Sequence, residues 1–283
     1  MLKIFILFYF TYEIEHGVPP AGGHEERSES VLLRRGGIVA LKGLGGYQLL
    51  VDAGNREAVA RLRARKGRPR KPFAVMLPSL AAARQLCVVA APAAAALCSA
   101  AAPIVLLPRR ARAGDAALPV SDAVAPDNPC LGVMLPYTPL HRLLLDDFAA
   151  ALVATSGNLS GEPLCIDDGE ARDRLGGIAD AFLAHDRTIA RPLDDSVVQL
   201  AAGGRQLLRA ARGYAPQILP LPGEVDACLL AVGGQHRNSI ALARGRRAVL
   251  GPHIGDLDSV AAVDASCTMT IGPMAKSSDV LPL

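Results

Sequence analysis

From Gly36 onward short apolar runs alternate with amphipathic stretches, the pattern of an α/β chain. Gly36–Leu41, Phe73–Leu77, Ile104–Pro108, Leu131–Pro136, Ala151–Thr155 and Ala181–Asp186 read as buried strands, several of them bounded by glycine or proline. Between them Asn55 caps a helix through Lys66, with Val59 and Leu62 on one face and arginines over much of the rest, until Pro69 and Pro72 break it. Ser79 opens an Ala-rich helix to about Cys87, and Ala93–Ala101 forms another. Thr138 and Pro139 pair an N-cap with a proline at the first helical position ahead of Leu140–Phe148, and Asp167 or Asp168 caps a helix to Leu175. Ser196–Leu200 and Arg205–Leu208 flank Gly203-Gly204 as a hairpin.

The ends follow a different pattern. Residues 16–30 are polar with Gly and Pro and read as a linker, so 1–28 stand apart from the α/β unit at 29–215. The apolar run Ile4–Tyr12 falls short of the ~20 residues a bilayer requires. Glu13 and Glu15 follow it at once, which suits a buried strand or a misassigned reading-frame start better than a secretory signal. Around PQILPLPG, residues 216–226 read as an interdomain linker. Beyond it Cys228–Val232, Ser239–Ala243 and Ala248–Leu250 open a second sheet within 227–283, an incomplete second domain too small to bury much of a core.

Of 283 residues, 51% are hydrophobic and 20% charged, with no Trp, so the chain folds around an aliphatic core and is not disordered. Net charge is only +3, yet residues 61–71 (RLRARKGRPRK) hold seven basic side chains and no acid. The remaining chain is mildly acidic, so a single concentrated positive segment is expected to meet something anionic. Six scattered cysteines with no CxxC pair argue against a zinc ribbon or a secreted disulfide scaffold and fit a reducing cytoplasm.

Two stretches could carry chemistry. Lys66, Arg68 and Lys71 lie where a basic helix runs into a proline-punctuated loop, a placement suited to the phosphates of a nucleotide; a solvated basic face is the alternative. Thr155-Ser156-Gly157-Asn158-Leu159-Ser160-Gly161 ends a strand in hydroxyls, an amide and free backbone N–H groups that could cradle an anion or a polar acyl group, although an ordinary turn has the same composition. No Walker pattern and no complete GxGxxG occurs. Asp194 and Asp195 precede a strand, where alternation would let at most one of them reach a given site. His141 reads as packing or capping, and His236 and His253 lack partners at metal-ligand spacing.

Taken in order, GGIVALKGLGGYQLLVDA, RLRARKGRPRKPFAVM, APIVLLPRR, LGVMLPYTPLHRLLL, LVATSGNLSGEPL and IADAFLAHDRTIARPLDDSV resemble the YrdC-like domain of the HypF family of hydrogenase-maturation carbamoyltransferases. RAARGYAP, AVGGQHRNSIALARG and GPHIGDLD extend the resemblance into the start of that family's carbamoyl-transfer domain, an ASKHA-like fold. The resemblance implies a twisted mixed α/β sheet flanked by helices around a basic cavity. It implies ATP with magnesium, carbamoyl phosphate or carbamate as substrates, carbamoyl adenylate as product, and the C-terminal cysteine of HypE as eventual acceptor. The family's Lys-x-Arg element falls on Lys66 and Arg68 as catalytic residues. Its Ser-x-Asn element falls on Ser156 and Asn158, and Lys42, Tyr47, Lys71 and Arg212 join these as nucleotide- or carbamoyl-binding residues.

There are departures. Gln48 stands where relatives usually carry His, and Leu193 where Cys is expected; the family's acylphosphatase-like and zinc modules have no counterpart here. No metal site is therefore expected, and the ends are expected to reflect a truncated or frame-disrupted product that retains adenylation at most. Two other functions share the domain: threonylcarbamoyl-AMP synthesis for tRNA modification, and non-catalytic binding of double-stranded RNA through Arg61–Lys71. The first is disfavoured by Lys42-Gly-Leu-Gly-Gly-Tyr47, which replaces the expected Pro-Thr-rich entry loop. No membrane partner is expected.

Overall fold

Strands buried on both faces need helices on both sides, and the chain supplies them in two unequal sets. The computed structural model describes residues 28–110, 118–159, 161–201, 203–260 and 262–264. The readings of Ile4–Tyr12, of residues 16–27 and of Ser160 lie outside the described residues. The elements run α1 (Ser28–Arg34), β1 (Val39–Lys42), β2 (Tyr47–Asp52), α2 (Arg56–Lys66), β3 (Ala74–Met76), α3 (Leu80–Leu86), α4 (Ala91–Leu97) and β4 (Ile104–Pro108). Then follow β5 (Cys130–Met134), α5 (Pro139–Phe148), β6 (Leu152–Ser156), α6 (Asp168–Leu175), β7 (Ala181–Leu183), β8 (Val197–Ala201), β9 (Gly204–Arg209), β10 (Gln217–Ala231) and β11 (Ala241–Leu250).

β1 to β9 form one nine-stranded mixed sheet in the order β7-β1-β2-β6-β3-β5-β4-β8-β9. β1 and β7, β3 and β5, and β4 and β8 pair parallel, while the other neighbours run antiparallel. Alternation sends Leu49 and Val51 of β2 to one face, where α2, α3, α4 and α6 pack, and Leu50 to the other, under α1 and α5. The twisted mixed sheet expected from the resemblance is what the chain builds.

Three readings change. α1 was masked by its polar opening; packing makes the helix, with Leu33 fully buried beside Leu144 and Phe148, and Arg34 over the Phe148 ring. β2 went unread because YQLLVD is too short and too uniformly apolar to show a period. The proposed linker at 216–226 lies mostly within β10, which pairs with β11 in a two-stranded ribbon. Pro220 and Pro222 are tolerated there because each strand of a ribbon has a free edge that demands no N–H, and register shifts interrupt the pairing beside them. The ribbon is largely exposed, with Ile218, Leu229 and Leu230 each at least half open to solvent.

Candidate functional site

α2 is capped as its sequence suggests: Asn55 accepts from the Ala58 N–H, and Gly67 ends the helix in the left-handed region at φ 62°. That stop leaves Lys66 in the last turn, pointing inward and only 3% exposed, and frees Arg68 to turn back toward the sheet. The Lys66 amine donates to the carbonyls of Ser156 and Asn158, both at 2.6 Å, and to Asn158 Oδ1 at 2.9 Å. Arg68 donates to Thr155 Oγ1 at 3.2 Å and to the Pro72 carbonyl, with its guanidinium 4.9 Å from the Phe73 ring centre. The cationic bend and the serine–asparagine corner therefore meet at the end of β6.

The corner is held by close backbone approach. Gly157 N–H donates to the Tyr47 carbonyl at 2.6 Å, and a Cβ on Gly157 would lie 2.6 Å from Tyr47 Cβ. Ser156 Oγ donates to Asn158 Oδ1 at 2.7 Å, and Asn158 Nδ2 donates to the Glu162 carbonyl. The amide oxygen of Asn158 thus holds Lys66 and Ser156, while its nitrogen ties the corner to Glu162. Burial, reinforced by the Arg68 and Lys71 charges, pulls the Lys66 amine down from 10.5 to about 7. Burial and then Arg63 lower Arg68 to about 10, and Lys71 is lowered by desolvation first and then by the Arg68 and Arg209 charges.

Beside the corner lies a small, partly open cleft lined among others by Tyr47, Gln48, Ser156, Leu193, Asp194 and Asp195. Both aspartates line it, contrary to the alternation argument. They precede β8 in irregular chain, so strand geometry does not divide them. Asp194 pairs with Arg209 at 2.6 Å and Asp195 with Arg212 at 2.8 Å. Arg212 also donates to the Ala101 and Ala102 carbonyls and lies 3.6 Å from the Tyr137 ring centre, so it braces the cleft from behind. Gln48 accepts from His141 Nε2 at 3.0 Å and donates to Tyr137 Oη at 2.9 Å and Asp195 Oδ2 at 3.1 Å. Burial lowers His141 to about 3, so this fully buried ring is neutral and packs rather than reacts.

Lys42 and Tyr47 converge on Asp168: Lys42 Nζ lies 2.7 Å from its Oδ1 and also donates to the His185 carbonyl, and Tyr47 Oη donates to the same Oδ1. Of the site residues singled out by the resemblance, Tyr47 and Ser156 line the cleft, whereas Lys42, Lys66, Arg68, Lys71, Asn158 and Arg212 are not among its lining residues. Lys71 is exposed and shares the field of Arg68, Arg209 and Asp194. Arg209 was missed because one arginine in an exposed hairpin gives no local signal.

The basic run is mostly internal scaffolding. Arg61 donates to the Gly36 carbonyl, Arg63 to five backbone carbonyls including Ala123 and Val124, and Arg65 pairs with Asp180. With Lys66 and Arg68, five of its seven cations thus have protein partners. His236, read as lacking a ligand partner, lies with Asp256 and Asp258 in an exposed group whose ligand atoms fall within 4.8 Å of one another. Among the described residues no helix is long and apolar enough to cross a membrane.

The Sua5/YciO/YrdC family model, described as telomere recombination, matches residues 31–211, and the HypF Kae1-like domain model matches 224–277. Carbamoyltransferase HypF of Synechocystis sp. is 49% identical over 227 residues, covering 80% of this chain and 29% of the relative. Carbamoyltransferase HypF of Rhodobacter capsulatus is 48% identical over 252 residues, 87% of this chain and 33% of the relative. The chain thus spans about a third of the length of these curated relatives. A crystal structure of full-length HypF in the phosphate- and nucleotide-bound form superposes with TM-score 0.84 at 39% identity, covering 95% of this chain and 34% of that one. P. abyssi Sua5 complexed with L-threonine, at 20% identity and TM-score 0.57, shares the fold.

Proposed function

Since the chain belongs to the Sua5/YciO/YrdC family, in the form carried by HypF carbamoyltransferases, we propose that it activates a carbamate-type acid with ATP, releasing carbamoyl adenylate and pyrophosphate. A carbamate oxygen attacks the α-phosphorus, the bond to the β-phosphate breaks, and charge builds on the departing pyrophosphate. In this reading Lys66 and Arg68 meet that charge, and the contact of the Lys66 amine with the 156–158 corner is the observation that supports it. A polyanion beside the amine favours its charged form, so Lys66 takes up a proton as ATP binds near neutral pH. Preorganised cations of this kind supply about 10²–10³ in rate each, because they need no reorganisation as the charge develops.

ATP enters with magnesium on its phosphates, as substrate. Residues 29–215 form the adenylating unit of this proposal, and 227–283 open a Kae1-like unit. In the complete pathway the carbamate arises from carbamoyl phosphate and the carbamoyl group passes to the C-terminal cysteine of HypE, in the cytoplasm. The test offers purified protein ATP with either ammonium carbamate or threonine plus bicarbonate, and follows exchange of labelled pyrophosphate into ATP. Exchange with carbamate alone supports the proposal; exchange with threonine plus bicarbonate alone assigns threonylcarbamoyl-AMP synthesis instead. RNA binding has less to support it, since Arg61, Arg63 and Arg65 of the run that would bind its phosphates are engaged within the protein.

A further inference from the structure

The cleft beside the corner that Lys66 grips offers a small acid more than positive charge. Ser156 lines it, and the direction of its hydroxyl is settled by its neighbours. The Glu162 carbonyl only accepts, so the Asn158 atom facing it is the amide nitrogen, and the atom 2.9 Å from the Lys66 amine is the amide oxygen. Ser156 must then spend its own hydrogen on Asn158 Oδ1 at 2.7 Å. What remains to face the cleft is a pair of lone pairs, so Ser156 can accept from a ligand but not donate to one.

The facing carboxylates differ. Asp195 is saturated: Arg212 engages Oδ1, Gln48 donates to Oδ2, and Tyr137 also hydrogen-bonds to the carboxylate. Asp194 takes Arg209 on Oδ2, while its Oδ1 has no donor among the described residues. Its position is fixed, because Leu193 N–H donates to the Gly45 carbonyl at 2.9 Å and Arg212 N–H to the Asp194 carbonyl at 3.1 Å. Two residues that each keep an open acceptor thus line one small cleft beside a cationic corner.

We propose that Ser156 Oγ and Asp194 Oδ1 read the two N–H groups of an unsubstituted amino group, making the cleft selective for a primary carbamoyl compound over acids or esters that lack NH₂. This rests on the adenylation reading only for the identity of the substrate. Bicarbonate and acetate cannot fill both acceptors, and an N-substituted carbamate fills one. A desolvated acceptor left unpaired is penalised, and that penalty is the source of discrimination.

The probes are methyl carbamate and methyl acetate, neutral esters that differ only in NH₂ against CH₃, with binding measured by ligand-observed nuclear magnetic resonance. The wild type should prefer methyl carbamate by roughly 30-fold, Asp194→Leu should lose about tenfold of that preference, and Ser156→Ala about fivefold, the ranges for a charged and a neutral acceptor. Equal binding of the two esters by the wild type, or a wild-type preference kept by both folded variants, overturns the proposal. Pyrophosphate exchange with ammonium carbamate is run alongside. A clear ester preference without exchange refutes adenylation and upholds the amino-group reader, whereas exchange without ester preference refutes the reader alone.

Discussion

Replacing Lys66 with Met keeps the volume of the side chain and removes its charge, which makes the cost of burying that charge visible as a function of pH. In the folded protein the amine loses its proton near pH 7, whereas in the unfolded chain it keeps the proton to about 10.5. Between those values the unfolded state binds more protons, so raising the pH favours the fold. Below pH 6 both states are protonated and the effect is flat. Each pH unit inside the window is worth up to about 1.4 kcal/mol, so from pH 7 to pH 9 the wild type should gain about 2 kcal/mol on Lys66→Met. The variant also strands the carbonyls of Ser156 and Asn158, but that loss does not vary with pH and drops out of the comparison. Urea unfolding of both proteins at pH 6, 7, 8 and 9 measures the gap directly. A gap constant across the series would mean that the amine keeps its ordinary affinity for protons, and the picture of a desolvated lysine poised to take up a proton with ATP would be wrong.

Other outcomes follow from the same geometry. Arg212→Leu strips Asp195 of its ion partner in a site where the carboxylate is only 17% exposed, and should lower unfolding free energy by about 3 kcal/mol in a chemical melt. Gly157→Ala forces a methyl against Tyr47 and should cost about 1–3 kcal/mol, with carbamate-dependent exchange falling further than stability because the corner carrying Ser156 shifts. Leu62→Ala opens a hole under α2 at a fully buried position and should cost about 3 kcal/mol while leaving the chemistry of the cleft intact, as measured by exchange at a temperature where the variant remains folded.

The sequence made local features legible wherever local physics decides them. Asn55, Gly67 and the prolines at 69 and 72 bound α2 through caps and lost donors, and apolar runs bounded by glycine or proline mark strands such as β4 and β5. α1 and β2 escaped because their reason for existing is non-local: Leu33 needs α5, and YQLLVD needs neighbours on both faces. The same distinction divides the site. Lys66 with Arg68 and Ser156 with Asn158 stood out as motifs, yet no spacing rule says that Lys66 grips the very carbonyls of the second motif. The charge run at 61–71 misled in the opposite direction, since five of its cations satisfy acceptors within the protein that only the folded chain brings near. Arg209 and Asp194, 15 residues apart, become a pair only through the hairpin.

Exchange of labelled pyrophosphate into ATP, driven by ammonium carbamate and compared between wild type and Arg68→Ala, bears most directly on the role of the cationic bend. The account predicts exchange in the wild type and a loss of about 10²–10³ in the variant, with its unfolding transition preserved. Exchange at a near-normal rate in folded Arg68→Ala would contradict it.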